Sequence, residues 1–135
     1  MKVLSVKQPW AALLVNGIKD IENRTRRTTF RGRILIHASK AQKSGFIADF
    51  LTEEQAKAVC EAKIEDSDFG KSLVRGMIIG SIEIYDCVKN DSSIWAEKNV
   101  WNWKVRKPIL FKKPIPAKGK LGLWNFEKEI DENNQ

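Results

Sequence analysis

The stretch QPWAALLVNGIKDIENR, residues 8–24, decides how the rest of the chain is read. Its first half has the marks of a short helix: Pro9 suits a first helical turn and Gly17 suits a C-terminal cap. KVLSV just before it alternates as a short strand, so the chain opens as strand, helix and tight exit. Beyond the glycine, Lys19, Asp20, Glu22 and Arg24 crowd into six residues. A turn that only reversed the chain would need a Gly or Asn and little else. Charges of both signs call for a partner outside the chain or a salt-bridge network within it. Taken as a strand, KDIENR sets Asp20, Glu22 and Arg24 on one face and Lys19, Ile21 and Asn23 on the other. With Ile21 turned to the core, Glu22 and Arg24 project together, and Arg24 can pair with the carboxylate while keeping guanidinium donors for a ligand. Lys19 can reach round on its long stem. The alternative is a plain surface salt bridge worth about 0–1 kcal/mol.

Outward from this segment, RGRILIHAS carries Ile34, Leu35 and Ile36 in succession, the apolar run of a strand covered on both faces. LTEEQAKAVCEAKI predicts a mid-chain helix with Thr52 as N-cap and Ala56, Val59, Cys60 and Ile64 on one face. This acidic helix is expected to lie away from any basic face. GMIIGSIEIYDCV reads as a long strand in which Gly80 marks a bulge or a close approach. WNWKV, ILFKKPIP and LGLWNF read as three further short strands. The expected fold is α+β: a compact mixed β-barrel of five to six strands with an early helix and a mid-chain helix.

A chain of 135 residues with 42% hydrophobic and 30% charged residues fits one globular domain, assigned to residues 1–127, with a polar tail over 128–135 expected to fray. No stretch approaches the ~20 apolar residues of a membrane span and no signal-peptide core is evident, so no membrane partner and a cytoplasmic location are expected. Cys60 and Cys87, with 26 residues between them, read as two buried thiols. With His37 the single histidine and no glycine-rich dinucleotide fingerprint, neither a metal nor a cofactor is implied. His37 itself reads as a satisfied strand-end residue.

The net charge of +7 is uneven: residues 1–43 hold ten basic against two acidic residues, residues 44–70 two against seven, and residues 71–135 twelve against eight. Lys98 to Lys120 holds eight basic residues and no acid, and Arg24, Arg26, Arg27, Arg31 and Arg33 are five arginines within ten residues. Such segments suit phosphate, or a merely solvated face. Candidate backbone contacts are Arg26, Arg27, Arg31, Arg33, Lys104, Arg106 and Lys112. Trp101, Trp103 and Trp124 lie in or beside the second basic segment, where an exposed indole could stack on a base. Trp10 is assigned to the core-to-cleft boundary and Trp103 stands for the late stacking platform. Lys7 precedes Gln8 and Pro9 where an ammonium meets a helix N-terminus, an arrangement suited to an anion. Ser39 and Lys40 end the ILIHAS strand near the same rim.

LSVKQPWAALLVNGIKDIENR, then RGRILIHASK, then PIPAKGKLGLWNF together resemble the ASCH domain (activating signal cointegrator homology) of the PUA-like superfamily, over residues 4 to 126. The resemblance implies a PUA-like barrel with a cleft beside the early helix, and RNA or a modified nucleotide as ligand. Together with the residue readings above, it leaves Lys7, Gln8, Trp10, Lys19, Glu22, Arg24, Ser39 and Trp103 as the ligand-binding candidates. A related enzyme branch, the acetylcytidine amidohydrolases, uses a Lys, a Thr and a later Glu. By position the lysine falls on Lys19, the threonine position is occupied by Glu22, and the later Glu corresponds to Glu97. Lys19 and Glu22 are therefore the catalytic candidates if the protein is a hydrolase of an acylated nucleobase or a ribonuclease. Period-two alternation turns Thr25 away from Glu22. A protein-interaction module that kept the fold and lost the ligand is the third possibility, and the oligomeric state is open.

Overall fold

The computed structural model describes residues 1–42 and 47–135. Six strands form one mixed sheet in the order β2-β5-β4-β3-β1-β6: β1 (Lys2–Gln8), β2 (Ile21–Arg24), β3 (Gly32–Gln42), β4 (Met77–Lys89), β5 (Trp101–Pro116) and β6 (Leu123–Asn125). The β1–β3 pair is parallel and the other ladders are antiparallel. This is the expected α+β class with six strands, but the sheet is not closed by backbone pairing, so the barrel expectation is corrected. Its edges are β2, four residues paired only with β5, and β6, three residues paired only with β1.

Three register shifts along β4–β5 bend the long strands. WNWKV and ILFKKPIP, expected as separate strands, are one strand. Lys107 and Pro108 fall between the paired residues Arg106 and Ile109, where a proline gives up no ladder donor.

Ile34, Leu35 and Ile36 are all buried, as a strand covered on both faces requires. Ile34 and Ile36 join Leu14, Val15, Ile79 and Ile82 on one side, and Leu35 joins Val3, Ile78, Phe111 and Trp124 on the other. Each such aliphatic contributes about 1.5–3 kcal/mol on leaving water. α1 (Trp10–Val15) is buried from Ala11 onward, and Gly17 follows it at φ +75°, the left-handed exit its glycine permits. Leu13 packs with Ile21 and Trp95, which holds the charged segment against the helix.

α2 (Glu53–Glu61) carries the expected cap, in which Thr52 and Gln55 bond reciprocally as a capping box. It buries no residue fully, and Cys60 is exposed whereas Cys87 is buried, so only one of the two thiols fits its expectation. Ile64 lies beyond the helix end. α3 (Asp66–Ser72) was not expected, since DSDFGKS has no apolar period and holds a glycine. The C-terminal tail packs back instead of fraying: Asn134 is buried and its amide bonds both the N–H and the carbonyl of Lys113. Among the described residues no helix is long and apolar enough to cross a membrane, and no His, Cys, Asp and Glu cluster could hold a metal.

Candidate functional site

β2 begins four residues after Gly17, and its short ladder with β5 pairs Glu22 with Trp103 and Arg24 with Trp101. Ile21 is buried, which fixes the alternation and sends Glu22 and Arg24 to the other face. Glu22 is 6% exposed and Lys19 5% exposed, a depth at which charges persist only when paired. Glu22 is held from both sides. Its Oε2 accepts Arg24 Nε at 2.8 Å and its Oε1 lies 3.6 Å from Lys19 Nζ. Lys19 also donates to the Ile21 carbonyl and stands 5.5 Å from the centroid of the Trp10 ring. Burial pulls the Lys19 ammonium below its ordinary pKa, and the Glu22 and Glu97 carboxylates act against that pull.

Arg24 donates a second bond, from Nη2 to the Ser5 carbonyl at 2.8 Å. Of its five N–H groups, three are uncommitted among the described residues. Below it runs a second network. Ser5 Oγ meets His37 Nδ1 at 3.1 Å and accepts from Trp124 Nε1 at 3.3 Å, while His37 Nε2 donates to the Ala117 carbonyl at 2.7 Å. The carbonyl can only accept, so the Nε2–H tautomer is required and Nδ1 takes the serine proton. His37 is satisfied at both nitrogens, and it anchors the segment that runs from Ala117 into the loop before β6.

Lys19, Glu22, Arg24, Ser5 and His37 line one cleft of about 1440 Å³. Its described lining holds six cations (Lys7, Lys19, Arg24, Lys40, Lys118 and Lys120) against two acids, Glu22 and Glu97. Trp10, Phe50 and Trp95 supply aromatic surface. The N-terminal end of α2 borders the same cleft through Thr52 and Gln55, which corrects the expectation that the acidic helix keeps away from the basic face.

Of the ligand candidates, Lys7, Trp10, Lys19, Glu22, Arg24 and Ser39 are brought together in this cleft. Gln8 is not among its lining. It caps α1, its Oε1 accepting from Ala12 N, and its amide donates to the Ser72 and Val74 carbonyls. That cap also takes a helix N–H that was assigned to an anion beside Lys7. Trp103 is 5% exposed and its indole N–H donates to the Arg26 carbonyl, so it is core and presents no stacking face.

The backbone candidates scatter. Arg31 bonds the Thr28 and Phe30 carbonyls, Arg33 bonds Ser81 Oγ and the Lys107 carbonyl, Lys104 pairs with Asp91 at 3.0 Å and Arg106 with Glu83 at 3.0 Å. Arg26, Arg27 and Lys112 are exposed and make no ion pair among the described residues.

Trp95, Lys118, Lys120 and Thr25 reach the cleft without having been assigned to it. Period-two alternation would turn Thr25 away from Glu22, but β2 ends at Arg24 and the period ends with it. Trp95 and Glu97 are placed by Asn23, whose amide donates to the Trp95 carbonyl and accepts from Glu97 N. Asn102 braces the same point from β5, donating to Asn23 Oδ1.

A family model described as the ASCH domain matches residues 4–115. The chain is 30% identical over 94% of its length to Activating signal cointegrator 1 of Homo sapiens, of which it covers 22%. It is equally 30% identical over 94% of its length to the protein of the same name from Mus musculus, again covering 22%. The chain thus spans about a fifth of the length of these relatives.

Proposed function

The chain belongs to the ASCH domain family, and from that premise we propose that its cleft binds a nucleotide, either within RNA or as a modified free nucleotide. The observation that carries this reading is the line of buried Lys19, buried Glu22 and partly exposed Arg24 on the wall of a cleft with an excess of cations. Glu22 holds and aims its two neighbours and leaves one positive charge over, so Arg24 offers its uncommitted N–H groups in a fixed fork suited to a phosphate or a base edge. The exposed ammonium groups of Lys7, Lys40, Lys118 and Lys120 supply diffuse attraction for phosphate at the rim. Trp10 offers a half-buried ring against which a base can stack.

Tryptophan fluorescence during titration with short single-stranded RNA at two salt concentrations tests this. Trp10 lies beside Lys19 and reports occupation. Wild type should bind, the affinity should fall as salt rises, and Lys19→Ala/Glu22→Gln should lose binding. Absence of binding at low salt rejects RNA as the ligand.

One observation favours a hydrolytic reading beside it. Lys19, with its pKa lowered by burial, shares the cleft with Thr25 and Glu97, so a lysine, a threonine and a carboxylate meet in one space. Turnover of a panel of N-acylated nucleosides that disappears in Lys19→Ala and Thr25→Ala would establish it. No product from that panel, with the RNA recovered intact after titration, would leave binding alone.

A further inference from the structure

Once folded, the two basic segments no longer act alike. Arg31, Arg33, Lys104 and Arg106 spend their donors on neighbouring carbonyls, a hydroxyl and carboxylates. Arg26 and Arg27 stay exposed and make no ion pair among the described residues. Arg27 lies 5.8 Å from the centroid of the Trp101 ring. Lys89, outside both basic segments, stands 4.9 Å from the same centroid and is likewise exposed and without an ion pair among the described residues. Two cations drawn to one indole repel each other, and the ring offsets only part of that repulsion. An anion taken up beside these cations would relieve the rest.

The placement of this group relative to the cleft is fixed by the sheet. Trp101 pairs on one side with Arg24 and on the other with Lys89. Arg24 and Thr25 line the cleft. Neighbouring strands are about 4.8 Å apart, so the backbone carrying these cations starts within roughly 10 Å of the cleft wall. The Arg26 carbonyl accepts the Trp103 indole N–H, which holds the arginine segment to the core at this point. A base enters a cleft only after leaving its stack, and a single strand presents one without the cost of breaking a pair, so a single strand is the ligand taken at least cost.

We infer that Arg26, Arg27 and Lys89, gathered around Trp101, form a phosphate track that receives the backbone of a single-stranded RNA leaving the cleft past Thr25. The inference rests on the reading of the cleft as a nucleotide site and deepens it: the ligand is a strand, bound beyond the nucleotide that the cleft holds. Arginine forks grip phosphate oxygens in pairs and the lysine adds a point charge.

The test compares a labelled single-stranded oligoribonucleotide of about ten residues with ribonucleoside monophosphates, on wild type and on Arg27→Glu/Lys89→Glu. Both altered side chains are exposed, and thermal melting checks that the fold is kept. Wild type should bind the oligonucleotide more tightly than the monophosphates. The reversal should cost at least about tenfold in oligonucleotide affinity and flatten the slope of log K against log salt by roughly 1.4, which is two phosphates at ~0.7 each. Monophosphate affinity should not change. Oligonucleotide affinity and salt slope that match wild type in the reversed variant overturn the track alone. Oligonucleotide binding that survives Lys19→Ala/Arg24→Ala overturns the cleft reading instead, and wild type that binds neither ligand at low salt overturns both.

Discussion

The Arg24 guanidinium donates to the Ser5 carbonyl across 2.8 Å, joining β2 to β1 although three strands separate them in the sheet. β6 pairs with β1 only as far as Leu4, opposite Leu123, and the Ser5 carbonyl beyond that pairing is the one that Arg24 takes. The sheet therefore curls until a side chain completes what no backbone ladder does. Arg24→Met should remove the bond to Ser5 and the stronger half of the Glu22 pairing together. Because Arg24 is partly exposed, the expected loss is about 2 kcal/mol, below that of a fully buried pair. Arg24→Lys should recover part of it, since one ammonium cannot serve both acceptors in the geometry of the fork. Urea denaturation of the three proteins measures the order.

Lys19 gives stability a pH dependence of definite sign. Burial lowers its pKa in the folded protein from the ordinary value of 10.5. Below the lowered value both folded and unfolded chains hold the proton, and this group adds no slope. Between the lowered value and 10.5 the unfolded chain binds more protons, so the contribution of Lys19 to stability rises with pH, and above 10.5 it levels off. The stability difference between wild type and Lys19→Met should accordingly shift in favour of wild type as pH rises from 7 towards 10.5. A difference that is flat, or that shifts the other way, would show that the ammonium is not desolvated.

Gly80 was legible in sequence as a close-approach point, and the structure gives the reason. A Cβ there would stand 2.2 Å from the Ile109 carbonyl oxygen and 2.9 Å from Val15, so the backbones of β4 and β5 would have to separate beneath α1. Gly80→Ala should destabilise by about 3 kcal/mol, visible as a lowered melting temperature with ligand affinity per folded molecule retained.

The same logic separates what sequence could and could not reveal. Apolar succession at Ile34–Ile36 and alternation around Ile21 place β3 and β2, because burial of a face is written in residue type. The Lys19, Glu22 and Arg24 grouping was legible for the same reason. Gln8 and Trp103 were misassigned because their polar atoms are consumed by partners distant in sequence, the Ser72 and Val74 carbonyls and the Arg26 carbonyl. Arginine density between Arg24 and Arg33 did not translate into one cationic face, since Arg31 and Arg33 turn back to bond the chain. The contribution of Lys118 and Lys120 depends on a loop whose anchor, His37, lies eighty residues from Ala117. No local pattern encodes it.

That anchor yields the last prediction. A Cβ on Gly119 would meet the His37 ring at 2.8 Å and Ser5 Oγ at 3.0 Å, so the loop carrying Lys118 and Lys120 lies directly on the ring. Nothing in the Gly119 backbone demands glycine, as its φ is not in the left-handed region. The constraint is contact alone. Gly122, three residues on, is the converse: it sits at φ +65° with nothing within 4 Å of an added Cβ. Gly122→Ala should therefore cost about 1 kcal/mol of backbone strain and leave the cleft as it is. Gly119→Ala should lift the loop from His37 and carry both lysines off the rim. The expected result is roughly tenfold weaker RNA binding, equivalent to about 1.4 kcal/mol, with a smaller loss of stability than that binding loss. Equal effects of the two substitutions on binding would mean that the loop contributes through its flexibility and not through where His37 holds it.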